Sequence, residues 1–362
     1  MNLPLRSLAL IGTLLVATFA EAQTTPPSAL LILAKRDQTL AIVDPATLKV
    51  IAKVPVGADP HEVIASADGK TAYVSDYGGG SLHTLSVVDL VAQKPLPAID
   101  LGPLGGPHGL TFVAGKTWFT AEGAKVIGSY APATQKVDWV LGTGQNRTHM
   151  IYVQPDLKRI ITTNVASGSV SIIDKVVQQM GPPPGPPPGQ RPNQSARRGP
   201  PPGPPPGGGG PRMDWNETIV KVGGGSEGFD ISPDGKEVWV ANSQDGTISI
   251  IDPNAKVVTQ TLASDTQGAN RLKFTLDGKV VLVSLLGGPD LVVIDAASRK
   301  TIKRLPIGNG AAGILMDPNG TRAYVACSPD DYIAVIDLKT MTVTGKIEAG
   351  QEPDGMAWAP TK

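Results

Sequence analysis

The chain has 362 residues, and its 32 Lys and Arg balance its 32 Asp and Glu, so the formal net charge is zero. This balance provides no general electrostatic attraction to nucleic acid or to an anionic membrane, and we expect neither as a partner. A single cysteine, Cys327, excludes an internal disulfide, and an aromatic content of 4% predicts an aliphatic core. We expect Cys327, which ends an apolar run, to be buried.

The first 22 residues have the pattern of a secretory signal peptide. Arg6 supplies the positive charge, residues 8–19 form an apolar stretch of suitable length, and Ala-Glu-Ala at 20–22 is a cleavage motif. The apolar stretch is short for a transmembrane helix, and the sequence contains no other candidate span. We therefore expect cleavage after Ala22, a mature chain of residues 23–362, and a periplasmic or secreted bacterial protein.

A repeat of about 43 residues runs through the mature chain, marked by two β-branched residues followed by Asp. The markers end at Asp44, Asp89, Asp174, Asp252, Asp295 and Asp337, with a degenerate copy ending at Ala131. In chain order the intervals are 45, 42, 43, 78, 43 and 42 residues. Because 78 is one repeat plus about 35 extra residues, the sequence predicts seven units.

Each unit contains four short segments with strand-like patterns. Asp-Gly or Asn-Gly pairs at 68–69, 234–235, 277–278 and 319–320 are expected to supply the positive φ of a tight two-residue hairpin turn. An alternating strand follows each turn, another strand ends at the Asp marker, and a fourth comes after it. Four short strands per unit at this period are typical of a β-propeller blade.

The two ends of the chain predict how the ring closes. One strand, at 354–358, remains after the last complete unit, and three strands, at 29–34, 40–43 and 50–54, precede the first. Together they make one blade, and such closure removes open sheet edges. The predicted fold is all-β: a seven-bladed β-propeller with four antiparallel strands per blade, closed by one C-terminal and three N-terminal strands.

One unit contains Ser-Pro-Asp-Gly-Lys at 232–236, Val-Trp-Val-Ala-Asn at 238–242 and Thr-Ile-Ser-Ile-Ile-Asp at 247–252. This series resembles the YVTN repeat, a WD40-like repeat of the YncE-like bacterial β-propellers, and the resemblance covers nearly all of the mature chain. It implies an exported propeller but no particular activity. Another unit, with Gly-Pro-His-Gly-Leu at 106–110, resembles blades of the streptogramin lyases, which are metal-dependent enzymes.

The extra residues form a Pro- and Gly-rich insert at about 178–213, with Gly-Pro-Pro-Pro-Gly-Pro-Pro-Pro-Gly at 181–189 and again at 199–207. Pro lacks a backbone donor and the tract has no core-forming side chains, so we expect it to be disordered. We expect the strand before it to end at Asp174 and the strand after it to span 217–222. The insert is then either a tolerated surface expansion or, through its Arg residues, a tether to a partner or an anionic surface.

Three of the four His occupy one place in the repeat, immediately before the innermost strand. The residues at this place, taken around the ring, are Asp354, His61, His108, His149, Glu227, Asn270 and Ala312. We name them the mouth ring, because this place faces the mouth of the central channel of a propeller. Imidazoles flanked by carboxylates suit Zn, Fe, Cu or Ni, and Arg147 and Arg271 nearby would attract an anionic ligand.

Two interpretations of the mouth ring stay open. In one, it binds a divalent transition metal through His61, His108 and His149, with Asp354 or Glu227, or it binds another ligand. In the other, it is a polar ring without a ligand, because any polar residue is acceptable at a watery channel mouth. A second set of residues, which includes Glu122, ends the second strand in six units. We interpret this set as structural because Asn and Asp, which occupy three of these places, usually bond the following turn.

The sequence contains no nucleophile motif and no phosphate-binding loop. It favours a monomeric binding module that presents the mouth ring to an unidentified small molecule, metal ion or protein. One alternative is a metal-dependent lyase or hydrolase that uses the three histidines. The other is an interaction scaffold with an inert channel.

Overall fold

The structure, a computed structural model, describes residues 25, 28–178 and 212–360. Within these residues, 28 β-strands form seven sheets of four strands, and the other regular elements are three short 3-10 helices. The predicted all-β, seven-bladed propeller is confirmed. The predicted signal peptide and both Pro-Gly repeats of the insert lie outside the described residues.

From the channel outward, blade 1 contains β28 (Pro353–Pro360), β1 (Ser28–Ala34), β2 (Thr39–Asp44) and β3 (Lys49–Pro55). Blade 2 contains β4 (Pro60–Ala65), β5 (Thr71–Asp76), β6 (Thr84–Asp89) and β7 (Lys94–Asp100). Blade 3 contains β8 (Pro107–Val113), β9 (Lys116–Ala121), β10 (Val126–Ala131) and β11 (Lys136–Gly142). Blade 4 contains β12 (Thr148–Val153), β13 (Arg159–Asn164), β14 (Ser169–Gln178) and β15 (Arg212–Lys221).

Blade 5 contains β16 (Ser226–Ile231), β17 (Val238–Asn242), β18 (Thr247–Asp252) and β19 (Val257–Ala263). Blade 6 contains β20 (Ala269–Phe274), β21 (Val280–Leu285), β22 (Asp290–Asp295) and β23 (Lys300–Pro306). Blade 7 contains β24 (Ala311–Met316), β25 (Arg322–Cys327), β26 (Tyr332–Asp337) and β27 (Thr342–Ile347).

The innermost strands β4, β8, β12, β16, β20, β24 and β28 contact one another in sequence, and β28 contacts β4, which closes the ring. Closure occurs as predicted: β28 pairs antiparallel with β1, from Ser28 opposite Pro360 to Ala34 opposite Pro353. The two ends of the described chain are therefore hydrogen-bonded to each other within blade 1.

The core lies between neighbouring blades, which pack face to face. Leu31 of blade 1 and Ala72 of blade 2, for example, belong to one buried cluster. The second and third strands of a blade are covered on both faces and are therefore almost continuously apolar, whereas the outermost strands, such as β11, alternate between exposed and half-buried residues. Cys327 is buried as predicted.

The predicted two-residue turns are wrong. Gly69 and Gly235 have φ of 68° and 71°, but the Asp that precedes each of them does not have a positive φ. The Gly69 N–H donates to the Ser66 carbonyl, and the Ser66 N–H donates to the Thr71 carbonyl. These hairpins therefore have four-residue loops with Gly alone in the left-handed position, a geometry that the Asp-Gly pair also suits.

The hairpin that carries the insert is longer than predicted. β14 continues past Asp174 to Gln178, and β15 begins at Arg212, so that the two strands pair over ten residues from Ser169 opposite Lys221 to Gln178 opposite Arg212. The prediction ended this strand at the Asp marker, as in the other units, although Val176 and Val177 beyond it are β-branched and suit a strand. The pairing places the start of the insert at the edge of blade 4, away from the channel.

None of the helices among the described residues has the length and apolar character needed to cross a membrane.

Candidate functional site at the channel mouth

Every innermost strand is entered through a left-handed residue, two places before the mouth ring. It is Gly106, Gly225, Gly268 or Gly310 in four blades, and Asp59, Arg147 or Glu352 in the other three. Left-handed backbone costs a non-glycine residue about 1 kcal/mol, so the repeat imposes this turn even where the sequence does not favour it. The turn gives the mouth-ring residues the same register in all seven blades.

Glycines directly after the mouth ring let adjacent blades approach closely. A Cβ on Gly109 would overlap the carbonyl oxygen of His149, and a Cβ on Gly355 would overlap that of His61. Glycine at these two positions therefore lets the innermost strands come together where the mouth-ring side chains begin.

His149 lies between two carboxylates. Its Nδ1 is 2.5 Å from Glu122 Oε1, and its Nε2 is 3.0 Å from Glu227 Oε2. The imidazole is 2% exposed, so these charge-assisted contacts are shielded from water and correspondingly strong. Arg147 bridges the same two carboxylates, with Nε 3.5 Å from Glu122 and Nη1 3.5 Å from Glu227.

Glu122 follows β9 of blade 3, and its second oxygen is held in place. The Tyr77 hydroxyl donates to Glu122 Oε2 at 2.7 Å. Burial and this carboxylate raise the pKa of Tyr77 to about 12, so the hydroxyl keeps its proton. Tyr77 and Arg147 thus hold Oε2, while Oε1 is directed at His149.

The charges in this cluster support one another. Burial raises the pKa of Glu227, but its contacts with His149 and Arg147 outweigh burial and lower that pKa to about 2. Glu122 also has a lowered pKa, because its bonds to His149 and Tyr77 outweigh burial. Burial lowers the pKa of His149, but the bonds to Glu122 and Glu227 raise it overall. The cluster therefore contains a doubly bridged imidazolium.

His108 has the opposite environment. It is 2% exposed, and among the described residues no hydrogen-bond partner reaches its buried Nδ1. Burial, followed by the neighbouring charges of His149 and His61, holds the pKa of His108 well below its ordinary value. His108 is therefore a neutral imidazole with an unsatisfied buried nitrogen, and its ring centroid is 3.8 Å from that of His149.

His61 borders the cluster on its blade 2 side. Its Nδ1 is 2.9 Å from the Asp59 carbonyl oxygen, and its ring centroid is 4.8 Å from that of His108 and 4.6 Å from that of Tyr77. A hydrogen on Nδ1 would leave Nε2 as an acceptor or metal ligand.

Two further mouth-ring residues, Asp354 and Asn270, contact side chains outside the His149 cluster. Asp354 pairs with Lys35 at 3.1 Å. Asn270 Oδ1 accepts a hydrogen bond from Arg271 Nη1 at 2.9 Å, and Arg271 Nη2 reaches Glu62 Oε1 at 2.7 Å. These contacts place Asp354, Asn270 and Arg271 in the same cavity as the histidines, but outside the His149 cluster.

His108, Glu122 and His149 each offer a ligand atom, and these three atoms lie within 4.8 Å of one another. Metal–nitrogen and metal–carboxylate bonds are about 2.0–2.2 Å long, so small side-chain rotations would bring the three atoms to one ion. The cavity at the mouth has a volume of about 230 Å³ and is lined by residues of all seven blades, among them His61, His108 and His149.

The structure brings together the three predicted histidines, Glu227 and Arg147, and it places Asp354, Asn270 and Arg271 on other sides of the same cavity. Glu122 and Tyr77 also belong to the cluster around His149, but the repeat register did not indicate them. Both follow the second strand of their blade rather than preceding the innermost one. The sequence grouped Glu122 with Asp76, Asn164 and Asn242, but the strand register places Ala121 with those residues and Glu122 one position later, with Tyr77. The grouping from the sequence was therefore off by one residue in blade 3.

Comparison with known families gives a partial match. The profile of the cytochrome D1 heme domain family matches residues 211–321, which is less than half of the chain. This region covers β15 through the start of blade 7 and does not include His61, His108, Glu122 or His149. A comparison with curated proteins finds no match.

Solved structures show the same fold at low identity. A functionally unknown protein from Desulfotomaculum acetoxidans has a TM-score of 0.67 at 13% identity, covering 92% of this chain and 99% of its own. A candidate 6-phosphogluconolactonase from Bacteroides uniformis gives 0.68 at 13% identity, covering 91% and 99%. The dihydro-heme d1 dehydrogenase NirN gives 0.60 at 12% identity, covering 94% and 77%. These similarities establish the propeller fold.

Proposed function

We propose that this protein is a metal-binding propeller that holds one divalent transition ion at the channel mouth. The observation that carries the proposal is the group formed by His108, Glu122 and His149, whose ligand atoms lie within 4.8 Å of one another in a buried setting. The Nδ1 of His108 supports it, because this buried nitrogen has no partner among the described residues and an ion is one of the groups that satisfy such an atom.

The surroundings resemble the outer shell of metal sites. Glu122 Oε1 and His149 Nδ1, now 2.5 Å apart, would separate to bind the ion. His149 Nε2 would then keep its bond to Glu227, the carboxylate–histidine arrangement that orients many metal ligands. Three protein ligands leave one position for water or for His61, and mixed imidazole and carboxylate ligands suit Zn, Fe, Cu or Ni.

The size of the cavity favours an ion over a larger group. Two of the similar proteins are named for heme d1 or its derivative. Sites for drug-sized ligands usually measure about 300–1,000 Å³, whereas the mouth cavity measures about 230 Å³. An ion with its water molecules fits this volume better than a tetrapyrrole.

The open coordination position makes the enzymatic alternative testable. A metal-bound water at this position would be a nucleophile at neutral pH, and His61, whose ring centroid lies 4.8 Å from that of His108, would be the candidate base. We interpret the chain as an exported YVTN-type propeller, with the metal site as its binding function, and hydrolysis of a lactone or ester as the alternative to assay once the metal is identified.

The proposal is tested by titrating Zn²⁺ into tag-free protein of residues 23–362 in a calorimeter, with bound metal counted by elemental analysis. We expect one ion per chain. Glu122→Gln and His108→Ala should each weaken binding at least 100-fold, and Glu227→Gln should weaken it about 10–100-fold, as outer-shell changes do.

His83→Ala is the matched control, because His83 is the fourth histidine and its half-exposed side chain lies near Asp100, outside the cluster. Its affinity should equal that of the wild type. Absence of stoichiometric binding with Zn²⁺, Cu²⁺, Ni²⁺ and Fe²⁺, or equal losses in His83→Ala and His108→Ala, would contradict the proposal.

A further inference from the structure

A second, larger cavity of about 630 Å³ occupies the opposite part of the channel. All seven innermost strands line it through residues that follow the mouth ring. Its wall combines charged side chains with apolar ones, and the apolar ones include Leu110, Met150, Phe229, Leu315 and Trp358. The volume lies within the range of about 300–1,000 Å³ that small-molecule sites occupy.

An ion pair separates the two cavities. Arg271 of blade 6 and Glu62 of blade 2 come from nearly opposite sides of the ring, and Arg271 Nη2 lies 2.7 Å from Glu62 Oε1. Among the described residues, Arg271 alone lines both cavities. It is 7% exposed and is also bonded to Asn270. The larger cavity is therefore a compartment distinct from the metal cluster.

The larger cavity is lined by two acids and two bases, and each acid is paired with a base: Glu62 with Arg271, and Asp230 with Lys273. Lys273 Nζ lies 3.1 Å from Asp230 Oδ1, while Asp230 Oδ2 accepts the Phe274 N–H at 2.9 Å. Both oxygens of Asp230 are thus engaged. The ammonium of Lys273 has three N–H donors, and its side chain is 37% exposed, so it is able to reach a ligand while Asp230 stays bonded to the backbone.

We propose that this compartment is a second ligand site, for a small amphipathic anion. The apolar body lies against the wall residues, and a carboxylate, sulfonate or phosphate group accepts hydrogen bonds from Lys273. A purely apolar ligand would leave the spare Lys273 donors unused, and a cation would have to displace Lys273 or Arg271 from the carboxylate that each one already pairs with. The site is independent of the proposed metal.

The test uses two fluorescent probes of similar body and different charge: 8-anilinonaphthalene-1-sulfonate, which is an anion, and N-phenyl-1-naphthylamine, which is neutral. Both are titrated into the folded chain in the presence of EDTA. We expect saturable binding of the anion at one site per chain, and competition by octanoate. Lys273→Met should weaken the anion about tenfold, through loss of a charge-assisted hydrogen bond, and leave the neutral probe unchanged.

Leu315→Trp fills the cavity and should abolish binding of both probes. Ile302→Trp places the same side chain on the exposed outer strand β23, where Ile302 is 58% exposed, and should bind both probes as the wild type does. Glu122→Gln, which removes the proposed metal ligand, should also leave probe binding unchanged, so the two proposals fail separately.

The absence of saturable binding would overturn the inference, as would equal affinity of the anion for the wild type and Lys273→Met. Melting curves identify any variant that does not fold. If Leu315→Trp does not fold, the affinities of the two probes for Lys273→Met still test the inference.

Discussion

His108 and His149 are adjacent, equally buried residues with opposite protonation. His149 contacts the carboxylates Glu122 and Glu227, which stabilise its cationic form. His108 packs against the rings of His149 and His61, and burial and the charges of those rings lower its pKa. One imidazolium and one neutral imidazole side by side avoid the repulsion of two buried cations. In the metal complex that we propose, the ion would replace the proton on His149 Nδ1.

A ¹⁵N NMR titration of metal-free protein tests this assignment. The imidazole of His149 should titrate above the ordinary histidine pKa of about 6.5, and that of His108 should stay neutral well below it. Glu122→Gln should lower the pKa of His149. Titration of both rings together near the ordinary value would contradict the assignment.

The raised pKa of His149 also makes the contribution of Glu227 to stability depend on pH. Stability from the imidazolium is fully present below about pH 6.5, the unfolded value, and is lost as pH rises through the folded-state pKa. Glu227 itself stays ionised until pH falls toward about 2. We therefore expect Glu227→Gln to cost about 1–3 kcal/mol at pH 6 and clearly less at pH 9.

Urea unfolding at the two pH values measures this difference. Glu237→Gln is the control, because Glu237 forms a more exposed ion pair with Arg299, and it should cost under about 1 kcal/mol at both pH values. An equal loss for Glu227→Gln at pH 6 and pH 9 would exclude a role for the His149 charge.

At the scale of the elements, Arg147 combines a strained backbone with a functional side chain. It has φ of 57° where four other blades have glycine, and its guanidinium reaches Glu122 and Glu227. Strained residues that persist in this way often belong to functional sites. The site, rather than the turn, explains arginine at this position.

Two substitutions of Arg147 separate the backbone from the side chain. Both Arg147→Gly and Arg147→Ala remove the guanidinium, but only alanine retains the left-handed strain, so the glycine variant should be more stable by about 1 kcal/mol. At Lys136, an exposed strand residue, the order should reverse, because glycine weakens strands. Chemical denaturation measures both pairs, and the same order at the two positions would contradict the account.

The close approach of blades 3 and 4 at Gly109 predicts a sharp cost for added volume. A Cβ there would overlap the His149 carbonyl oxygen, so Gly109→Ala should destabilise the fold by about 1–3 kcal/mol and displace His149. Gly142→Ala is the control, because nothing lies within 4 Å of its added Cβ. Equal melting temperatures for the two variants would show that the strands separate without cost.

The sequence predicted the elements better than it predicted the cluster. Repeat register aligned His61, His108 and His149 because these residues share one place in the unit. Glu122 and Tyr77 belong to another place in the unit. Glu122 reaches His149, and Tyr77 reaches Glu122, because the ring brings the end of one blade's second strand to the next blade. Similarly, the repeat register ended β14 at Asp174, and the pairing of residues 175–178 with β15 was not predicted because no other unit extends these two strands.

At the scale of the molecule, the site depends on ring closure, because its residues come from blades 2 to 5 and are held together by a complete circle. The pairing of β28 with β1 covers Leu30, Leu31 and Ile32, all buried. Deleting residues 353–362 should therefore abolish cooperative thermal unfolding, whereas deleting only residues 361–362 should not. Thermal unfolding of both truncations is measured by circular dichroism. A cooperative transition in the larger truncation would show that the ring is stable without β28.

The most direct test of the central claim is a crystal of the zinc-loaded chain measured on both sides of the zinc absorption edge. Our account predicts one anomalous peak per chain at the channel mouth, at about 2.0–2.2 Å from a nitrogen of His108, a nitrogen of His149 and an oxygen of Glu122. No peak at the mouth, or a peak coordinated by Asp354 and His61 without Glu122, would contradict it.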